Sequence, residues 1–233
     1  MTELTLHPIA HIESDLPALF GIPRQSGLVP ELTAKIIFEP LYHDPSAFRG
    51  LDGFSHLWLL WGFSANKRDG WAAAVKPPRL GGNRTMGVFA TRSPYRPNPV
   101  GLSCVKLERI EQTEKHGIVL HVSGADLMDG TPIYDIKPYL PYTDSHPEAA
   151  GGFAEEFADY ALEVEFPSEL LSRLPAEKRA SAVQLLARDP RPAYIDDPER
   201  IYGVLFAGFD LRFRVSGQTL TVVDAVPAAK RKK

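Results

Sequence analysis

Short apolar segments separated by proline and glycine dominate the first two thirds of the chain. In Val105–Glu108 apolar and charged residues alternate, which is typical of a strand with one buried face. The segment Phe54–Phe63 is almost continuously apolar and predicts a strand buried on both faces. Strands are predicted around Leu4–Ile9, Thr33–Phe38, Phe54–Phe63, Met86–Ala90, Leu102–Ile110 and Gly117–Val122. Many short strands with little helix indicate a β-sandwich or a β-barrel.

The pattern changes near the small-residue segment Ala149–Gly152, which we interpret as a linker. Beyond it, Phe209–Val215 alternates like a half-buried strand. The helices predicted here are Glu169–Leu174, with Ser168 as its cap, and residues 175–188, with Ala180, Val183 and Leu186 on the buried face. The chain therefore divides into a β-domain, residues 1–155, and a small α+β domain, residues 156–233.

Composition narrows the class of protein without identifying it. The chain has 233 residues, a formal net charge of −3 and 44% hydrophobic residues, as a globular protein does. Because the net charge is slightly negative, any nucleic-acid-binding surface has to be a local basic patch. The single cysteine, Cys104, excludes an internal disulfide and favours a small buried thiol. No secretion signal and no membrane-length apolar segment is recognisable, so a cytoplasmic location is expected.

Several familiar catalytic motifs are missing from the sequence. There is no G-x-G-x-x-G between a strand and a helix and no P-loop, so neither a Rossmann-type cofactor site nor a nucleotide-binding loop is indicated. The histidines are scattered and none has the H-E-x-x-H spacing of a zinc site, so we predict no metal. Ser103, two positions after Gly101, has no recognisable histidine partner, and no G-x-S-x-G elbow is present.

The segment Gly87–Ser103 is the most informative part of the chain. Its three prolines fix their own φ angles and restrict the residues before them, so the loop has few available conformations. A stiff loop that presents Arg92 and Arg96 suits an anionic or planar ligand. The alternative is a proline-rich surface turn with solvated arginines. The residue types alone do not separate these two interpretations.

A second polar cluster follows the last strand predicted in the first domain. Asp126 comes after a stretch of small residues, which lets another group approach its backbone, although a turn cap is the simpler interpretation. Asp135 and Lys137 share one strand face, where they could form an ion pair. Alternatively, Tyr139 and Tyr142 beside Lys137 could stack on RNA bases and contact phosphate.

The sequence closely resembles the YaeB/TsaA family, whose characterised members are TrmO-type tRNA methyltransferases. The segments that carry the resemblance are Arg49–Trp58, Pro77–Gly82, Gly87–Ser103, Asp129–Tyr139, Asp189–Tyr194 and Ile201–Gly203. They extend over nearly the whole chain, and the Arg-Pro-Asn-Pro sequence at Arg96–Pro99 is the most specific of them.

The resemblance implies a fold and a function together. The fold is mainly β: an N-terminal antiparallel β-barrel, unrelated to the Rossmann methyltransferases, with a small C-terminal α+β domain. The activity is methylation, by S-adenosylmethionine, of N6 of threonylcarbamoyl-adenosine at position 37 in the tRNA anticodon loop. The family acts as homodimers with the cofactor site near the subunit interface. Two alternatives stay open, a non-catalytic RNA-binding barrel and a methyltransferase for a small molecule.

The resemblance also assigns residues to the cofactor site. The matching positions are Ser26, Gly27, Leu28, Ser64, Ala65, Arg92, Leu102, Ser123, Gly124, Ala125 and Asp126. Arg92 would bind the cofactor carboxylate in a bidentate manner, and Asp126 would offset its positive charge. At Ser64 and Ala65 the family commonly has polar residues such as His and Gln, so side-chain contacts there are expected to differ.

The remaining candidates serve catalysis and RNA binding. Adenine N6 is a weak nucleophile, so a neighbouring group should accept its proton or orient its lone pair. The catalytic candidates are Asp126, Lys137 and Tyr139. The RNA-binding candidates are Arg84, Arg96, Asn98 and Tyr142. For Arg96 and Asn98, a role in holding the loop is the alternative.

Overall fold

The fold consists mainly of β-strands, and the computed structural model describes residues 3–65, 70–77, 84–191 and 197–229. Within these residues the strands are β1 (Ala10–Ser14), β2 (Thr33–Phe38), β3 (His56–Gly62), β4 (Ala74–Val75), β5 (Met86–Gly87), β6 (Val100–Thr113), β7 (Gly117–Ser123), β8 (Pro132–Pro138), β9 (Glu163–Glu165), β10 (Tyr202–Phe206), β11 (Phe209–Ser216) and β12 (Thr219–Pro227). The α-helices are α1 (Pro141–Asp144), α2 (Ser168–Leu171) and α3 (Arg179–Ala187). Single 3₁₀ turns lie at Pro40–Tyr42, Pro45–Phe48, Leu51–Gly53, Val88–Ala90, Gly152–Phe157 and Ala176–Lys178.

Parts of two segments that carry the family resemblance, residues 78–82 and 192–194, lie outside the described residues. Within the described ranges, no helix has the length and apolar character needed to cross a membrane.

Six strands of the described chain close into an antiparallel barrel in the order β1-β2-β7-β6-β3-β8. The barrel closes where β1 pairs with β8, through Ala10 opposite Ile133 and His11 opposite Pro132. Its buried interior includes Ile12, Ile36, Leu57, Leu59, Leu120, Val122, Leu127 and Ile133. The residue pattern left a sandwich and a barrel open, and the closed strand order confirms the barrel.

The first strand begins later than the apolar pattern predicts. Leu4 and Leu6 are 80% and 39% exposed, and β1 starts at Ala10. Ala10 and Ile12 are fully buried in the barrel. The prediction of a strand around Leu4–Ile9 is therefore wrong, because the register that buries Ala10 and Ile12 determines where pairing begins.

β3 is buried on one face only, so the prediction of two buried faces is wrong. Leu57 and Leu59 lie in the core, whereas Trp58 between them is half-buried. The outer face of a barrel strand points away from the core, and here aromatic side chains cover part of it: the ring of Trp58 lies 5.7 Å from that of Tyr139. Apolar content alone does not distinguish such a covered outer face from a second buried face.

Two other strand boundaries also differ from the prediction. Met86–Ala90 was predicted as one strand, but only its first two residues pair, with β4, and the rest is a 3₁₀ turn. β6 is longer than the predicted Leu102–Ile110 at both ends, because it pairs with β3 on one side and with β7 on the other.

The second unit contains a sheet in the order β10-β11-β12-β9, with α2 and α3 packed on it. Within it β9 runs parallel to β12, and the other neighbouring strands are antiparallel. The predicted alternation in β11 is confirmed, since Leu211, Phe213 and Val215 are buried. A mainly β chain with a smaller α+β unit is the fold expected from the sequence.

The helices of this unit differ in detail from the prediction. Ser168 is the first residue of α2, whose N-cap is Pro167, so Ser168 does not cap the helix. α3 begins at Arg179, and Ala180, predicted to be buried, is exposed. The buried residues of α3 are Ser181, Ala182, Leu185 and Leu186. Leu186 is therefore buried as predicted, whereas Ala182 and Leu185 take the buried positions expected for Ala180 and Val183.

The segment between β1 and β2, residues 15–32, packs against the second unit. The core of that unit includes Leu16, Val29 and Leu32. Lys178 Nζ lies 2.5 Å from the Asp15 carboxylate. Arg188 Nε donates a hydrogen bond to the Leu28 carbonyl at 3.1 Å. The second unit therefore holds in place a segment that belongs, by sequence, to the barrel.

We predict that Leu32→Ala destabilises the whole protein. Leu32 is 4% exposed within the second core, so truncation should lower the free energy of unfolding by about 2–5 kcal/mol. The matched control is Leu41→Ala, because Leu41 is 82% exposed and its loss should cost less than about 0.5 kcal/mol. Urea unfolding measures both variants. Equal effects would show that the β1–β2 segment is not anchored in that core.

Candidate active site

A pocket of about 680 Å³ opens at one end of the barrel. This volume lies within the range of roughly 300–1,000 Å³ that is typical of small-molecule sites. Its walls are the β1–β2 segment (Leu19, Ile22, Pro23, Arg24, Gln25), β3 and the residues after it (Trp58, Trp61, Gly62, Phe63, Ser64, Ala65), the proline-rich loop (Thr91, Arg92, Pro94, Tyr95, Arg96), the start of β6 (Val100, Gly101, Leu102), and Asp126, Met128 and Thr131.

The proline-rich loop, residues 91–99, is held in shape by its own hydrogen bonds. Thr91 Oγ1 donates to the Val88 carbonyl at 2.9 Å, and the Tyr95 backbone N–H donates to Ser93 Oγ at 3.2 Å. Arg96 Nη1 donates to the Thr91 carbonyl at 2.9 Å. These bonds add to the restriction that the prolines impose, so the loop forms a preorganised wall of the pocket.

Arg92 links this loop to the opposite wall of the pocket. Its Nη1 donates a hydrogen bond to Gln25 Oε1 of the β1–β2 segment. Gln25 was not predicted as a site residue, although it directly precedes Ser26, which the resemblance assigns to the cofactor site. The contact spans 67 positions in the sequence, so spacing alone does not reveal it.

Asp126 is the one carboxylate among the described residues that line the pocket. Ser103 Oγ donates a hydrogen bond of 2.6 Å to Asp126 Oδ1, and Trp61 Nε1 donates one of 2.9 Å to Ser103 Oγ. Burial raises the pKa of Asp126, while the Ser103 hydrogen bond and the charge of Arg92 act in the opposite direction. The site thus contains a carboxylate that is largely withdrawn from water and fixed in orientation.

Trp61 can occupy its position only because residue 101 is glycine. Gly101 pairs with Trp61 across β3 and β6, and a Cβ at Gly101 would clash with the indole ring. On its other side the indole meets the ring of Phe63, with centroids 4.4 Å apart. The position of the Trp61 indole therefore determines its hydrogen bond to Ser103, and through Ser103 the orientation of Asp126.

Five of the predicted cofactor residues line the pocket: Ser64, Ala65, Arg92, Leu102 and Asp126. Leu102 is 55% exposed, so it offers an apolar surface to a ligand. The predicted residues that do not line it are Ser26, Gly27, Leu28, Ser123, Gly124 and Ala125.

These residues nevertheless come together next to the pocket wall. The Gly27 N–H donates to the Gly124 carbonyl at 2.8 Å, and Ser26 Oγ accepts a hydrogen bond of 3.2 Å from the Cys104 backbone N–H. Gly124 has a φ of +75°, and a Cβ there would lie 3.4 Å from the backbone of Gly27. The close approach joins the β1–β2 segment to the end of β7, immediately before Asp126.

Three further candidates lie on the barrel surface rather than in the pocket lining. Lys137 pairs with Asp135 at 2.9 Å, as the ion-pair interpretation predicted. Tyr139 packs on Trp58, which does line the pocket, and Tyr142 is 87% exposed. Of the three, Tyr139 is the one in ring contact with a residue of the pocket lining.

The RNA-binding candidates of the loop region occupy different positions. Arg96 lines the pocket and also holds the loop through Thr91. Asn98 is exposed, and its carbonyl accepts the Val100 N–H at 2.8 Å, where β6 begins. Arg84 is exposed before β5.

The sequence did not predict the roles of Trp61 and Ser103. Ser103 was considered only as a nucleophile, whereas here it is a hydrogen-bond donor to Asp126. Its neighbour Cys104 is half-buried, and burial raises the pKa of its thiol, which favours the neutral form. In the part of the chain that is described, no group of three or more His, Cys, Asp or Glu residues could hold a metal ion.

The fold and the pocket define a class of protein: a closed antiparallel barrel whose end carries a pocket with arginines and a buried carboxylate, attached to a small α+β unit. The chain belongs to the tRNA-methyltransferase O family. The model of that family's N-terminal domain matches residues 11–145, and the TrmO C-terminal domain model matches residues 159–228.

Similar proteins are known from bacteria and from mammals. The tRNA (adenine(37)-N6)-methyltransferase of Escherichia coli (strain K12) is 41% identical over 235 residues, which cover 97% of this chain and 100% of that protein. The human protein of the same name is 39% identical over 162 residues, 69% of this chain and 34% of that protein. A Pseudomonas aeruginosa protein, named as a candidate S-adenosylmethionine-dependent methyltransferase, is 39% identical over 218 residues. The matched region covers 90% of this chain and 91% of that protein.

A crystal structure of TrmO from Pseudomonas aeruginosa has the same fold. It superposes with a TM-score of 0.78 at 33% sequence identity, and the match covers 98% of this chain and 99% of that one. The match includes both the barrel and the C-terminal unit.

We predict that Gly101→Ala disrupts the Trp61–Ser103–Asp126 chain. The added methyl group must displace the indole, so the free energy of unfolding should fall by about 1–3 kcal/mol and tryptophan fluorescence should change. The control is Gly87→Ala, because a Cβ at Gly87 meets no atom within 4 Å. If both variants unfold like the parent protein, Trp61 is not fixed as described.

Proposed function

We propose that this chain is an S-adenosylmethionine-dependent tRNA (adenine(37)-N6)-methyltransferase that acts on N6 of threonylcarbamoyl-adenosine. The observation that carries the proposal is that Asp126 and Arg92 line the same pocket in a protein of this family. Relatives that match nearly the whole chain bear the name tRNA (adenine(37)-N6)-methyltransferase, which supports the same activity.

The residues of the pocket fit the chemical groups of S-adenosylmethionine. That molecule carries a carboxylate, an ammonium, a sulfonium and an adenine. Arg92 suits the carboxylate, and Asp126 suits the cationic groups. Leu102, which is 55% exposed, offers an apolar surface to adenine. When bound, S-adenosylmethionine supplies an electrophilic methyl group.

The protein itself contributes alignment and one basic group. Effective alignment of two reactants accounts for much of the rate of a displacement, and the hydrogen-bonded loop and the fixed Asp126 provide rigid walls for it. A carboxylate whose pKa is raised by burial is also a stronger base. We therefore assign to Asp126 the acceptance of the proton that N6 loses. Lys137 and Tyr139, which do not line the pocket, we assign to the surface that meets RNA.

The organisation of the enzyme follows from the same proposal. We infer a methyltransferase domain of residues 1–155 and a C-terminal domain of residues 156–233, a division supported by the two family models. We also infer that the protein is a homodimer and acts in the cytoplasm on the anticodon loop. Exposed apolar side chains beside the pocket, among them Trp71, Phe89 and Leu102, support a further contact surface there.

The proposed activity is tested with purified protein, S-adenosylmethionine and two tRNA preparations, one bearing threonylcarbamoyl-adenosine at position 37 and one unmodified there. Mass spectrometry of digested nucleosides should show one added methyl group on the threonylcarbamoyl-adenosine of the first preparation. Boiled protein is the control. The absence of any methylated nucleoside would contradict an enzymatic role and favour a non-catalytic RNA-binding barrel. Methylation of free nucleosides alone would favour a small-molecule methyltransferase.

We predict that Arg92→Ala weakens S-adenosylmethionine binding far more than Arg96→Ala does. A charge-assisted hydrogen bond contributes about 1.5–3 kcal/mol, so the Kd for Arg92→Ala should rise by about tenfold or more. For Arg96→Ala we expect less than about a threefold rise, because Arg96 is not assigned to the cofactor. Isothermal titration calorimetry measures both. Equal effects would contradict the assignment of Arg92.

A further inference from the structure

The charges that line the pocket do not balance. Among the described residues of its lining, the proline-rich loop contributes Arg92 and Arg96, whereas the one carboxylate is Asp126, so one arginine of the loop has no carboxylate opposite it in the lining. A concave surface of one sign attracts ligands of the opposite sign.

S-adenosylmethionine alone does not correct this imbalance. Its sulfonium and ammonium outweigh its one carboxylate, so the molecule is itself a cation. Arg92 and Asp126 together match its zwitterionic part, but Arg96 then lies beside a positively charged ligand. Like charges confined in a pocket repel more strongly than they do in water. A second ligand with a negative group would relieve this repulsion.

Arg96 is the best-placed residue for such a group. Its Nη1 is tied to the Thr91 carbonyl at 2.9 Å, which fixes the guanidinium without neutralising its charge. No ion pair found within the described residues includes Arg96. The side chain is half-buried and lies in a loop made rigid by prolines. A preorganised, half-buried guanidinium with open donors is suited to bidentate binding of a carboxylate or phosphate.

We propose that Arg96 is a specificity-determining residue that binds the carboxylate of the threonylcarbamoyl group on the substrate adenine. This inference rests on the proposed function, and it assigns the two arginines of the loop to different ligands, Arg92 to the cofactor and Arg96 to the substrate. A backbone phosphate of the tRNA offers the same negative oxygen chemistry, so the test has to separate the two sources.

The test uses two short anticodon stem-loop RNAs that differ by one charge. One carries threonylcarbamoyl-adenosine at position 37, and in the other the same carboxylate is converted to a carboxamide, so all phosphates are identical. Binding is measured by fluorescence polarisation in the presence of S-adenosylhomocysteine. The unmutated protein should bind the acid about tenfold or more tightly than the amide. Arg96→Gln should reduce this preference to less than about threefold.

Three comparisons separate ligand recognition from a structural role. Arg96→Lys keeps the charge but not the planar fork, so it should retain part of the preference. Arg109→Gln alters an exposed arginine of β6 that pairs with Glu111 away from the pocket, and it should keep the full preference. The affinity of Arg96→Gln for S-adenosylhomocysteine should stay within about twofold of the parent. A residue that only supported the loop would change this affinity, because Arg92 lies in the same loop.

Three results would overturn the proposal. Equal binding of acid and amide by the unmutated protein would show that the carboxylate is not recognised and would assign the arginines to phosphates. An unchanged preference in Arg96→Gln would exclude Arg96. A parallel loss of S-adenosylhomocysteine binding would make its role structural. The proposed function is tested separately, by methyl transfer rather than by binding. It would be contradicted if the unmutated protein transferred no methyl group to the acid stem-loop.

Discussion

The site depends on one hydrogen-bonded chain, from Trp61 through Ser103 to Asp126. A carboxylate placed among apolar side chains is unfavourable unless it is hydrogen-bonded, and Ser103 provides that bond at 2.6 Å. Ser103 is itself oriented by the indole of Trp61, and the indole fits because Gly101 has no side chain. Strand pairing between β3 and β6 thus determines where the charge of the pocket lies.

The other walls of the pocket are positioned from outside the barrel. The β1–β2 segment contributes Arg24 and Gln25 to the lining. Its buried residues Leu16, Val29 and Leu32 belong to the core of the second unit. The proline-rich loop reaches the same segment through the bond from Arg92 to Gln25. The C-terminal unit therefore influences the shape of a site to which it supplies no described lining residue.

The alternation of apolar and polar residues predicted the buried face of a strand where that face depends on the strand itself. Alternation in Val105–Glu108 and Phe209–Val215 gave correct buried faces, because a strand side chain points to one side or the other. The pattern failed for β3, since the cover over Trp58 comes from Tyr139, which directly follows β8. For the site, the resemblance assigned Arg92 and Asp126 to the cofactor, whereas Gln25, Trp61 and Ser103 act through contacts between distant segments that no spacing encodes.

The central claim is that the pocket between Arg92 and Asp126 holds the cofactor. A crystal structure of the protein with S-adenosylhomocysteine tests it most directly. The account predicts that the ligand carboxylate lies within hydrogen-bond distance of the Arg92 guanidinium and that the ligand ammonium lies near Asp126. A ligand bound elsewhere, or bound in this pocket with its amino-acid end away from both residues, would contradict the account.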